Sequence, residues 1–149
     1  MAYQFDFLPV LANADLLLQG AFFTLSLTAV GTLLGVGLGI IGAVLRAWRI
    51  KPFSQLFGLY VELIRNTPFI VQLFFIFFGL PALGVRMNEW EAAALAMVIN
   101  LGAYSTEIIR AGIQAIPGGQ LEAAAALAMN RLEIFRHVVL RPALAKVWP

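Results

Sequence analysis

From Gly20 to Leu45 the chain runs for 26 consecutive residues without a charged side chain. Wound as a helix at about 1.5 Å per residue, that stretch is roughly 39 Å long, enough to cross a bilayer core with some tilt. Composition agrees: the chain is 61% hydrophobic and 12% charged, with a mean hydropathy of +0.87. Soluble domains carry about 25% charged residues, and a water-soluble fold of this size could not cover so much apolar surface. An all-α integral membrane protein is therefore expected.

The distribution of charge adds an orientation. The first 45 residues hold Asp6 and Asp15 but no Lys or Arg. Arg46, Arg49 and Lys51 then cluster directly after the apolar run, and by the positive-inside rule that end faces the cytoplasm, with the N-terminus outside. Without a basic segment ahead of the apolar run, a cleaved signal peptide is not expected. The formal net charge of +2 is too small to imply nucleic acid as a partner. No cysteine is present, so neither a disulfide framework nor a thiolate metal site is available.

Along the chain, residues 1–19 read as an external or interfacial segment and 20–45 as the first span. Residues 53–81 read as one long, kinked helix returning outward, with Pro68 removing a backbone donor inside it. A short loop with Arg86 and Glu89 leads to a third span over 91–112. Ile116-Pro117-Gly118-Gly119 breaks it, and a cytoplasmic loop over about 113–142 follows.

Gly37, Gly39 and Gly42 match G-x-G-x-x-G, but inside an uncharged span and without a strand that pattern has no dinucleotide meaning. Gly31, Gly35 and Gly39 recur every fourth residue, a face on which another helix can approach closely. No phosphate-binding loop of the G-x-x-x-x-G-K-[ST] kind occurs. His137 is the single histidine, and neither metal-ligand spacing nor a nucleophile–base pair is found, so no catalytic residue is assigned.

Glu62/Arg65 and Glu107/Arg110 each sit at i,i+3, which makes their members neighbours on a helix. Charges at membrane depth are costly unless paired, snorkelling or facing water. The four either pair locally or snorkel into the headgroup layer, or form a cross-helix network at the inner mouth of a pathway. Asn66, Gln72, Asn100 and Tyr104 line a polar path or hydrogen-bond helices together. The segment from Gln120 is a strong helix former with Glu122 in its first turn. Asn130 tolerates a left-handed turn, and Leu132, Phe135, Val138 and Val139 then recur at helical spacing. Two short helices with a turn are expected, lying on the membrane surface or docking a partner; periodicity does not separate the two.

Residues 60–81, YVELIRNTPFIVQLFFIFFGLP, resemble the second-span signature of polar amino-acid importer permeases. Residues 103–124, AYSTEIIRAGIQAIPGGQLEAA, are similar to that family's third span leading into its EAA loop. These are permeases of ATP-binding-cassette importers. The family's E-A-A-x-x-x-G, nine residues, then I-x-L-P falls on Glu122, Ala123, Ala124, Ala128, Val138, Leu140 and Arg141. Ala128 stands where the pattern has Gly, and the proline comes one residue late, at Pro142. A left-handed Ala costs roughly 1–2 kcal/mol, so the turn is expected at Asn130 instead.

The resemblance implies a type I importer permease bundle with five spanning helices, of which this chain supplies three, the missing pair following Pro149. It implies a transport subunit and not an enzyme, binding no cofactor itself, with ATP and Mg on a separate cytoplasmic ATPase dimer. That ATPase would dock on the EAA coupling loop, here Glu122, Ala123, Ala124, Ala128, Asn130, Arg131, Phe135 and Arg136. A second permease subunit, identical or not, and an external or periplasmic solute-binding protein would complete the machine in the bacterial inner membrane. On the residues alone, a fragment of an ion-coupled secondary transporter and a non-transporting membrane scaffold stay open.

Overall fold

The computed structural model describes residues 8–130, 133–140 and 142, and all regular structure among them is helical. A short helix α1 (Leu8–Ala12) leads through Asn13 into α2 (Ala14–Ala47). At 34 residues α2 is about 51 Å long, and it starts six residues ahead of Gly20. Asp15 in its first turn and Arg46 in its last match the helix dipole. The helix stops where Arg49 turns left-handed (φ 53) and the Ile50 N–H closes back on the Leu45 carbonyl at 3.1 Å.

The longest packed seam joins α2 to α6 (Glu89–Gln114). Gly31 lies against Met97, Gly35 against Leu101 and Gly39 against Ser105. A Cβ at Gly35 would come within 2.9 Å of Leu101 Cβ, and one at Gly39 would overlap Ser105 and sit 3.1 Å from the Thr106 backbone nitrogen. The glycine face expected from the sequence is thus a seam of near-backbone contact. Since every pair is offset by the same 66 positions, α2 and α6 run parallel.

Parallel packing has a topological consequence. By that register Ala47 lies level with Ile113, so between Ala47 and Glu89 the chain must climb back along α6 by 24 residues of helix, about 36 Å. The climb is not made by the single kinked helix expected. It is split into α3 (Phe53–Arg65) and a second arm, α4 (Phe69–Phe74) running through a π-helical turn (Phe75–Gly79) into α5 (Leu80–Ala82). The second arm is bent by 107° from the direction of the first. Pro68 causes the break: it cannot donate to the Ile64 carbonyl one turn back, and it disfavours helical geometry at Thr67. The Gln72 side chain takes over the missing role, its Nε2 donating to the carbonyls of Ile64 and Thr67, each at 2.8 Å. Its Oε1 accepts from Asn100 Nδ2 at 3.1 Å, fixing the repaired break to α6.

α6 opens with a reciprocal capping box. Asn88 Oδ1 accepts from the Glu91 N–H and the Glu91 carboxylate accepts from the Asn88 N–H, both at 2.9 Å. It ends at Gln114, and after Pro117 the chain re-enters helix as α7 (Gly118–Ala126). A turn and a π-helical segment (Ile134–Leu140) complete the described structure.

Candidate functional site

Two neighbouring regions at the end of the bundle marked by Arg46 bring together most of the candidate residues. The first is a cleft of about 390 Å³ among α2, α3 and α6, lined by Arg46, Gly58, Glu62, Arg65, Asn66, Tyr104 and Glu107 among others. Glu107 is its electrostatic centre. Its Oε2 accepts from Arg46 Nη1 at 2.7 Å and from Arg110 Nε at 3.1 Å. Its Oε1 accepts from Arg110 Nη2, so Arg110 grips the carboxylate with two nitrogens. Arg110 Nη1 also donates to Gln114 Oε1 at 2.5 Å, which ties the site to the last turn of α6.

The four-residue network of Glu62, Arg65, Glu107 and Arg110 therefore does not form as a unit. Glu107 and Arg110 pair locally, one turn apart, and the cross-helix partner is Arg46, whose place in the sequence marks only the end of α2. Arg65 lies over the Tyr104 ring at 5.6 Å. Glu62 faces the cleft, exposed, and has no ion-pair partner among the described residues.

The polar path separates in the same way. Asn66 and Tyr104 line the cleft. Gln72 is buried, and its bonds and that of Asn100 hold the broken span to α6 instead of facing open space. Thr106, fully buried, returns its hydroxyl to the Gly102 carbonyl at 2.7 Å.

The second region is the hairpin that follows Pro117. Glu122 and Ala123 are exposed on α7, whereas Ala124 is buried. The turn is not made by Asn130. Ala128 itself adopts the left-handed conformation, at φ 57, with the Met129 N–H closing on the Ala124 carbonyl at 3.3 Å. Asn130 instead caps the next segment: its Oδ1 accepts from the Glu133 N–H at 3.0 Å, and the Glu133 carboxylate accepts from the Asn130 N–H at 2.7 Å. That N-x-x-E spacing is a capping signature readable in the sequence. Phe135 meets Trp48 of the α2 terminus edge-on, centroids 6.0 Å apart, and Arg136 is exposed. An apolar cavity of about 800 Å³ lies beneath, walled by Trp48, Ile113, Ile116, Leu121, Ile134 and others. Arg131 and Arg141 lie outside the described residues.

Residues 35–148 match the family model described as "Binding-protein-dependent transport system inner membrane component". Over 137 residues, 92% of this chain and 56% of the relative, the sequence is 36% identical to the L-cystine transport system permease protein TcyB of Bacillus subtilis. The arginine transport system permease protein ArtQ of Bacillus subtilis is 34% identical over 97% of this chain and 66% of its own length. The chain thus spans between about half and two thirds of these relatives. A solved structure titled "Crystal structure of an amino acid ABC transporter with histidines" superposes with a TM-score of 0.85 at 37% identity, covering 97% of this chain and 68% of that one. The matched span takes in Gly35 and Gly39 of the seam, the broken return segment and the hairpin after Pro117, and the chain belongs to the family of binding-protein-dependent transport system inner membrane components.

Proposed function

We propose that this chain is the membrane permease subunit of an ATP-driven importer of polar amino acids in the bacterial inner membrane, with its N-terminus outside. The observation that carries the reading is the hairpin. It presents Glu122 to solvent, turns at Ala128 where the family has Gly, and is clasped to α2 through Trp48 and Phe135. A separate ATPase dimer bound there would move the hairpin. The displacement would pass along Gln114, Arg110 and Glu107 into the cleft, biasing the bundle between outward-open and inward-open states according to the partner's preference for each. ATP and Mg would be held by that partner, and this subunit would perform no chemistry.

Substrate would arrive from an external solute-binding protein and cross beside a second permease subunit. Relatives named for cystine and arginine support polar amino acids as the class. The cleft supports it too: Asn66 and Tyr104 sit among side chains of both signs, a lining suited to a zwitterion.

The test is co-purification from membranes with and without Glu122→Arg. The reading expects a cassette ATPase to accompany the parent chain and to be lost with the variant. Equal capture by both would remove the hairpin from the docking surface, and absence of an ATPase from both would refute the importer assignment.

A further inference from the structure

Glu107 holds more cation than it needs. Arg110 alone engages both of its oxygens, and Arg46 shares Oε2 as a second, monodentate partner. The rest of the Arg46 guanidinium is turned toward another helix: Nε and Nη2 lie 4.0 Å from where a Cβ on Gly58 would stand. Gly58 carries no side chain to separate Arg46 from α3, and four residues on, one turn along the same face, comes Glu62. Glu62 lines the same cleft and has no ion-pair partner among the described residues. One arginine at the end of α2 thus shares a cleft with two carboxylates on two different helices, and is bound to the one already served by Arg110.

From this juxtaposition we infer that Arg46 is a partner-exchanging latch, paired with Glu107 in the arrangement seen here and with Glu62 in the opposite one. The exchange conserves charge and removes no ion from its pair: Glu107 keeps Arg110 when Arg46 leaves, and the charge of Glu62 is neutralised when Arg46 arrives. Two arrangements of similar energy separated by a small shift of α2 against α3 make a bistable element, not a continuously deformable one. Arg46 is then a positioning residue. Its move to Glu62 draws the α2 terminus across α3 and covers Asn66, one turn further along that face. The transport role of this switch rests on the importer reading; its existence does not.

The chain contains no cysteine, so Asn66→Cys provides a single reporter on the cleft. The rate at which it reacts with a polar maleimide would be measured on the full chain in lipid nanodiscs, without ATP, ATPase or substrate. Weakening the bond to Glu107, by Glu107→Gln and independently by Glu107→Asp, should favour the covered arrangement and slow labelling about threefold or more. Glu62→Gln should do the reverse, raising the rate by up to about twofold and leaving the variants about sixfold apart or more. In an Arg46→Ala background these differences should vanish. Shifts in the same direction, or shifts that persist without Arg46, would overturn the latch. Capture of an ATPase with no exchange signature refutes the latch alone, and the signature without capture refutes the importer reading alone.

Discussion

Ala128 offers the sharpest test of the hairpin. An L-residue with a Cβ held at φ 57 costs roughly 1–2 kcal/mol relative to right-handed geometry, and glycine removes that cost. Glycine also has more freedom to lose on ordering, which takes back about 0.4–1 kcal/mol. Ala128→Gly should therefore stabilise the hairpin by a net value of about 0.5–1 kcal/mol, a factor of roughly two to five in its opening equilibrium. Hydrogen exchange of peptides covering 118–140, followed by mass spectrometry on the membrane-embedded protein, reads that equilibrium where opening is local. Exchange there should slow by this factor, with the Met129 amide bonded to the Ala124 carbonyl among the sites affected. Asn130→Gly should act oppositely, because it deletes the oxygen that caps the Glu133 N–H. Faster exchange in Ala128→Gly together with slower exchange in Asn130→Gly would place the turn at Asn130 and refute the argument.

Three further outcomes follow from the packing. Gly39→Ala places a methyl group into Ser105 and the Thr106 backbone, and should cost about 1–3 kcal/mol of stability in detergent melts; Gly20→Ala, with nothing within 4 Å, should cost nothing. Gln72→Leu strips the donor from the Ile64 and Thr67 carbonyls and the acceptor from Asn100, and should destabilise by about 2–3 kcal/mol; an unchanged melting temperature would show that the break is stabilised some other way. Asn88→Ala opens the capping box and should cost about 1 kcal/mol, visible as faster exchange in the first turn of α6 and nowhere else.

What the sequence revealed, and what it hid, follows one division. Charge-free runs and breakers are properties of adjacent residues, so the first and third long apolar helices and the break before the hairpin were legible from the uncharged residues 20–45 and 92–106 and from Pro117. The seam was half legible: spacing exposed Gly31, Gly35 and Gly39 as a face but not what would seat on it. Pro68 announced an interruption, yet its size depended on Gln72 reaching back across the break, a contact no local rule predicts. Spacing found the Glu107–Arg110 pair because it is i,i+3. The same rule was blind to Arg46, 61 residues from Glu107 in sequence. The turn was misplaced because intrinsic cost favoured Asn130, whereas the box between Asn130 and Glu133 left Ala128 to take the strained geometry.

The parallel run of α2 and α6 also explains why a carboxylate carrying two arginines can exist at that depth. In an antiparallel pair, opposite helix ends lie side by side and their partial charges cancel. Here two carboxyl-terminal ends lie together, each worth roughly half a negative charge from its unsatisfied carbonyls. Arg46 sits in the last turn of α2 and Arg110 four residues before the end of α6. Two guanidinium groups facing one carboxylate and two aligned helix ends come close to neutrality. The arginine that looks surplus to Glu107 is the counter-charge of the backbone itself, and it keeps that role whichever carboxylate it touches.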